Sequence, residues 1–424
     1  MTQRTSTARR VQGTYLTLTL LTTLSASLIW GINTLFLLDA GLTNLEAFAA
    51  NAFFTAGMML FEIPTGVVAD LRGRRLSYLL GAVTLAGFTG LYVLLWWLQA
   101  PFWAWALASI GLGLGFTFFS GAVEAWLVDA LTATGYAGDL TAVFGRGQAV
   151  TGAAMLGGSV LGGVIAQASN LGVPFLVRVG LLLVTVVVAA LLMHDLGFTP
   201  DRSARTLPAM RGLLDASVEH GLRNRPVRWL MLTSPFVGGV GVYAFYALQP
   251  YLLELYGDPT AYGFAGLAAA AVAGAQILGG VLAPVVRRRV PRPTTVLLVG
   301  TAVAAGALVA VGLVPDLALV LACMVVWALT GAAVLPVRQA YLNGLIPSKQ
   351  RATVLSFDSL LSSSGGVVVQ PVMGRVGDVS GYPLTFVLSG AVQALALPFY
   401  WLARREQPGR EPVVAPKADE RSPA

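Results

Sequence analysis

The chain has 424 residues, 56% of them hydrophobic and only 11% charged, with a formal net charge of +7. A soluble domain carries about 25% charged residues, so this chain cannot cover a water-facing surface and its solvent is mostly lipid. A single cysteine, Cys323, inside an apolar run excludes a disulfide framework and a cysteine metal site, and two histidines, His194 and His220, are too few for a zinc cluster or a histidine relay across a membrane; no metal and no cofactor is expected.

The N-terminal tail, residues 1–13, carries Arg4, Arg9 and Arg10, and the apolar run behind it reaches Leu38. That run of about 25 residues is too long for a secretory h-region, so it reads as a first membrane span that is retained. A spanning helix needs about 20 mostly apolar residues, and twelve such stretches follow one another: 14–39, 45–69, 76–98, 102–131, 141–168, 172–194, 227–256, 260–286, 295–314, 316–346, 352–377 and 381–403. The fourth and tenth are long, which implies tilt or projection beyond the bilayer. The fold class is therefore an all-α integral membrane protein. The one sizeable polar insertion, 195–226, divides it into two six-helix bundles, 14–194 and 227–403. Within the insertion, Met210, Leu213, Leu214 and Val218 share a helical face, predicting a helix that lies on the inner membrane surface and tethers the bundles. Residues 404–424, rich in proline and charge, are expected to be a disordered tail.

Every lysine and arginine except Arg146, Arg178, Arg338 and Arg375 falls in the two tails, in the central insertion or in the turns after spans 2, 8 and 10. The positive-inside rule then puts both termini in the cytoplasm and makes this a multi-pass protein of the cell inner (plasma) membrane. The bilayer, with anionic headgroups at its inner leaflet, accounts for the net charge; nucleic acid is not an expected partner, and a monomer is.

The turn after span 2 is the most informative stretch. Residues 61–75 read FEIPTGVVADLRGRR: Asp70 closes an apolar run, and Arg72, Arg74 and Arg75 surround Gly73, where the backbone can turn sharply. Gly66, Asp70, Gly73, Arg74 and Arg75 match the signature G-x-x-x-D-R/K-x-G-R-R/K, with Leu71 where a base is usual and Arg72 one residue later. On these residues, and on its length and span count, the chain resembles the major facilitator superfamily. The turn after span 8 keeps Arg287, Arg288 and Arg289 but has Pro284 in place of the acid. Gly158-Ser159-Val160-Leu161-Gly162-Gly163 is similar to the G-P-x-x-G-G of drug/proton antiporter branches, with serine for proline. Glu124-Ala-Trp-Leu-Val-Asp129 in span 4 also lines up with Arg338-Gln-Ala-Tyr-Leu-Asn343 in span 10, a parallel repeat of the kind transporters use.

Charges inside a bilayer are costly and tend to be paired or functional. Depth counting predicts two pairs, Glu124 or Asp129 with Arg146, and Arg338 with Asp358; each is either a static tie or a gating latch. The resemblance implies that the Asp70 turn docks on the inner end of span 11, with Arg74 or Arg75 meeting Asp129, and locks an outward-open state. A desolvated acid without a firm cation titrates near neutrality, which makes Glu124 the first candidate for proton coupling, with Glu62 and Asp358 behind it. The resemblance also implies a central cavity lined by spans 1, 2, 4, 5, 7, 8, 10 and 11. Trp30, Asn33, Asn51, Thr117, Gln148, Tyr243, Tyr246, Gln276 and Gln339 lie at mid-depth there, predicting a polar, aromatic-lined space without fixed charge at its centre. No nucleotide-binding loop is present, and no catalytic constellation sits at one depth, so an enzyme is not expected. The expected function is proton-coupled export of small neutral or amphiphilic compounds by alternating access. Uptake or exchange of a metabolite on the same fold, and a non-transporting receptor or lipid-handling protein, are the alternatives.

Overall fold

The structure is a computed structural model that describes residues 2–119, 121–198, 223–346 and 351–406. The expected amphipathic helix at Met210–Val218 and the tail beyond 406 lie outside the described residues. Within them the chain is helical, with no strand. The first crossing is α1 (Thr2–Trp30) and α2 (Asn33–Asp39), which meet at a bend of 50°. Then come α3 (Asn44–Arg72), α4 (Arg74–Leu98), α5 (Phe102–Thr117), α6 (Ala122–Ala133), α7 (Leu140–Ala168) and α8 (Gly172–Leu192). After the central insertion come α9 (Arg225–Met231), α10 (Ser234–Tyr256), α11 (Tyr262–Arg289), α12 (Pro293–Leu313), α13 (Leu317–Leu345), α14 (Arg351–Ala394) and α15 (Ala396–Arg405). Gly381, at φ 77° and ψ 170°, breaks α14, so that α1–α2, α5–α6 and α9–α10 as single crossings, with the two arms of α14 as separate crossings and α15 continuing the second arm, give the twelve crossings expected.

Three local departures have physical causes. The helix predicted to start at 14 starts at Thr2, because Ala8, Val11, Tyr15 and Leu18 carry one buried helical face straight through the tail. The long fourth span is two helices rather than one projecting helix; Gly121 sits between them at φ 67°, a left-handed conformation that glycine adopts without strain. The first span is broken where Gly31 touches α11: a Cβ there would stand 3.0 Å from Gly266 Cα.

Apolar side chains clothe the outside. Leu60, Leu107, Leu183, Val187, Leu191, Val281 and Leu319 are all exposed, a surface that only lipid tolerates. Small residues fill the inside. A Cβ on Gly162 would collide with the Leu28 carbonyl oxygen, so α1 and α7 cross in backbone contact, as membrane helices do at glycine-rich faces.

Candidate functional site

A cavity of about 400 Å³ lies between the halves, lined from α1 and α2 by Trp30 and Asn33, from α3 by Asn51 and Phe54, and from α10 and α11 by Tyr246 and Gln276. Asn33 donates to the Asn51 side-chain oxygen at 3.1 Å, which holds α2 against α3. Tyr243 faces away from it, buried with its ring 4.6 Å from that of Phe48. The Thr117 hydroxyl is spent on the Leu114 carbonyl of its own helix at 2.8 Å. Gln148 and Gln339 are exposed and outside the lining.

The lining also departs from the helix set expected. The third crossing contributes Thr89 and Tyr92, and the sixth contributes Phe175 and Arg178. Helix α5 packs on α4 with Gly111 against the Phe88 ring and Gly115 against Leu85; its missing side chains let the two helices lie close enough for both to line the cavity. The Tyr92 and Ser109 hydroxyls share a hydrogen bond of 2.5 Å, and Phe175 stacks on Phe36 with centroids 3.9 Å apart. Among the described residues Arg178 is the one charged residue in the lining, so the expectation of a centre without fixed charge is corrected. The sequence held a signal for this: Arg178 interrupts the run GVPFLVRVGLLLVTVVVAALL and is the cation inside the first six spans for which no acid partner was found.

One end of the cavity is sealed where the halves meet, away from the arginine-rich turns. At the α1–α2 break the Gln249 amide spans the gap. Its nitrogen donates to the Trp30 carbonyl, and its oxygen accepts from the Thr34 N–H at 3.1 Å. One side chain from α10 thus satisfies backbone groups that the bend in α1–α2 leaves without helical partners. Close by, Asp378 accepts from the Asn44 and Leu45 N–H groups at 2.8 and 2.9 Å, capping the start of α3 from α14, and the Tyr382 hydroxyl donates to Asn44. Gly266 of α11 packs on Gly163 and on the Ser159 carbonyl of α7. Sequence reasoning missed Gln249 and Asp378, because a glutamine in an apolar helix shows no sign of which broken helix it will serve.

The expected charges are distributed unevenly. Arg338 and Asp358 meet in a buried two-pronged pair, with N–O distances of 2.7 and 2.8 Å. Ser234 donates to the same carboxylate at 2.6 Å, and Arg338 also donates to the Leu230 carbonyl at 3.0 Å. Arg146 reaches neither Glu124 nor Asp129; it is exposed and donates to Gln12 at 3.4 Å. Glu124 and Glu62 are exposed. In the signature turn, Arg74 pairs with Asp70 one helical turn back at 2.8 Å, while the Arg75 guanidinium donates to the Ala190 carbonyl rather than to Asp129, and the Arg75 backbone N–H donates to the Asp195 carboxylate at 3.0 Å. Gly73 makes that possible: at φ 101° it accepts the Asp195 carboxylate where a Cβ would stand. Arg72 is exposed, and Gly66 faces open space.

The sequence profile described as Major Facilitator Superfamily matches residues 15–312 and 265–423. No curated protein sequence matches the chain. Among solved structures, the chain is similar to the nucleoside transporter NupG, at 12% identity and a TM-score of 0.76 over 93% of this chain and 98% of that one. It is also similar to a bacterial homolog of the human lysosomal transporter Spinster in an inward-facing, unoccupied conformation, at 18% identity and a TM-score of 0.71 over 94% and 97%. A POT family transporter in complex with 5-aminolevulinic acid gives 14% identity and a TM-score of 0.72 over 93% and 96%. At such identities the likeness is one of fold.

Proposed function

The chain belongs to the Major Facilitator Superfamily, and from that premise we propose that it is a secondary active transporter that works by alternating access and exports small amphiphilic compounds against a proton gradient. The observation that carries this is the cavity. It lies at the seam of the two halves, sealed at one end by contacts between them, and it is lined by polar groups that the helix packing leaves unused. Taking the arginine-rich end as cytoplasmic on the positive-inside rule, the state seen is closed to the outside. Residues 195–226 then serve as the cytoplasmic link between the two six-helix units, 14–194 and 227–403. Glu124 is the first candidate to carry the coupled proton and Glu62 the second, both being exposed in a state that would release protons inward. Asp358 is a poor carrier, since Arg338 and Ser234 hold its carboxylate. The test is flux in proteoliposomes under an imposed pH gradient, over a panel of small amphiphilic compounds. Gradient-dependent movement of at least one compound is expected; flux indifferent to the gradient for every transported compound would remove the coupling.

The signature turn supplies a second measurement. Here Asp70 holds Arg74 within its own turn, and the Arg75 backbone N–H donates to Asp195 at the start of the central insertion, so neither contact reaches the second half. We assign the docking of this turn on α14, with Arg74 or Arg75 on Asp129, to the opposite, outward-open state. Asp70→Asn removes the charge without changing the shape. It is expected to lower transport several-fold while membrane insertion and yield stay at the wild-type level. Wild-type flux from well-expressed Asp70→Asn would eliminate the latch.

A further inference from the structure

We propose that Arg178 anchors a carboxylate, and that the cavity takes organic monocarboxylates with an aromatic or apolar body. This rests on the reading of the cavity as a substrate site and names the chemistry of what enters it.

Arg178 lies about 9 Å along α8 from its start, within the apolar span, where an unbalanced charge is expensive. It is 9% exposed and faces the cavity. Among the described residues it has no ion pair, and its Nε has no hydrogen-bond partner. The groups it meets electrostatically are the phenols of Tyr246 and Tyr92, which carry no charge at neutral pH. The same chain provisions another buried arginine differently. Arg338 is equally buried, at 9%, yet it has a carboxylate on two prongs, a serine hydroxyl and a backbone carbonyl. Two arginines with the same burial are provisioned in opposite ways, and a bound anion is what would complete Arg178.

The surroundings narrow the class. Asn51 Nδ2 and the Thr89 hydroxyl also lack partners, and both residues line the cavity. The unpartnered Arg178 and Asn51 nitrogens are both donors, which points to a ligand with acceptor oxygens. The guanidinium fork matches a planar carboxylate on two bonds. With no second cation in the lining among the described residues, a dicarboxylate or a phosphate ester would leave charge unmatched. The remaining walls, Trp30, Phe54, Phe116, Phe175 and Phe245, suit a ring or a short hydrocarbon chain. A volume of about 400 Å³ falls in the range of small-molecule sites.

The test is calorimetric titration of the full-length protein in detergent with three acids, 4-phenylbutyrate, indole-3-acetate and octanoate, each against its own amide. The wild type is expected to bind at least one acid about tenfold more tightly than the matching amide, the size of a charge-assisted bond in a water-poor site. In Arg178→Gln the preference should fall below about twofold, and the unfolding temperature should hold or rise, because an unbalanced buried charge has been removed. No acid preference in any pair, persistence of the preference in Arg178→Gln, or a variant that unfolds early as it would on losing a structural cation would each overturn the proposal. Acid-selective binding without flux of the same acids in proteoliposomes would keep the site and remove the transport reading. Flux with no acid preference in binding would do the reverse.

Discussion

Arg338→Met alone, or Asp358→Leu alone, is expected to lower stability by about 3–5 kcal/mol, because each leaves its partner buried and charged without compensation. The double variant is expected to recover most of that loss, since a well-packed apolar pair of similar volume replaces an ion pair at little net cost. The measurement is the unfolding temperature in detergent for the wild type, both single variants and the double variant. Transport decides what the pair is for. Arg338 comes from α13, Asp358 from α14, Ser234 from α10, and Leu230 from α9, all in the second half. A knot tied within one half moves with that half, so we propose that it stays closed in both access states and is a static tie. The double variant should then retain more than half of wild-type flux. Flux abolished in a double variant of wild-type stability would make the pair a working latch instead.

Gly266→Leu is expected to trap the transporter with the sealed end open. A Cβ at 266 would stand 2.6 Å from the Ser159 carbonyl oxygen and 3.0 Å from Gly163 Cα. Both obstacles are backbone, which cannot rotate aside, so the only relief is for α7 and α11 to part. A leucine also brings three further carbons into that crossing. Moving a two-state equilibrium a hundredfold takes about 2.7 kcal/mol, and a clash of this kind supplies at least that. The readout is labelling of Met155→Cys, which lines the cavity, with a membrane-impermeant thiol reagent after Cys323→Ser removes the native thiol. Labelling from the face opposite the arginine-rich turns should rise steeply with Gly266→Leu, and net transport should fall below about a tenth of wild type. Labelling confined to the arginine-rich face would show that the seam at Gly266 is no gate.

Much of the fold was legible before any coordinates, and particular residues show why. Where a helix crosses a membrane depends on a running average of side-chain polarity, and an error of a few residues barely moves it. Gly381 was legible as a connection for that reason, and it is where α14 breaks. The signature turn was legible too, because Asp70, Gly73, Arg74 and Arg75 act within a few residues of one another. The cavity was legible only in part. Trp30, Asn33, Asn51, Tyr246 and Gln276 line it, but Tyr243 packs against Phe48 and Gln148 is exposed. Successive residues on a helix turn by about 100°, so a depth estimate says little about the direction in which a side chain points.

By itself the sequence determined the solvent of this protein, the number of its crossings and its family, since each depends on composition or on short-range order along the chain. Only the tertiary structure decided which charges meet. Arg146 and Asp129 looked paired by depth and are apart, while Asp195 enters the space over Gly73 and accepts from the Arg75 backbone N–H. It also decided that Gln249 of one half bridges a broken helix of the other, and that Arg178 faces the cavity with no acid paired to it among the described residues. In a bilayer, burial is nearly uniform along a span. A charge is distinguished there by what stands across from it, and that is set by helix rotation and by crossings between residues far apart in sequence.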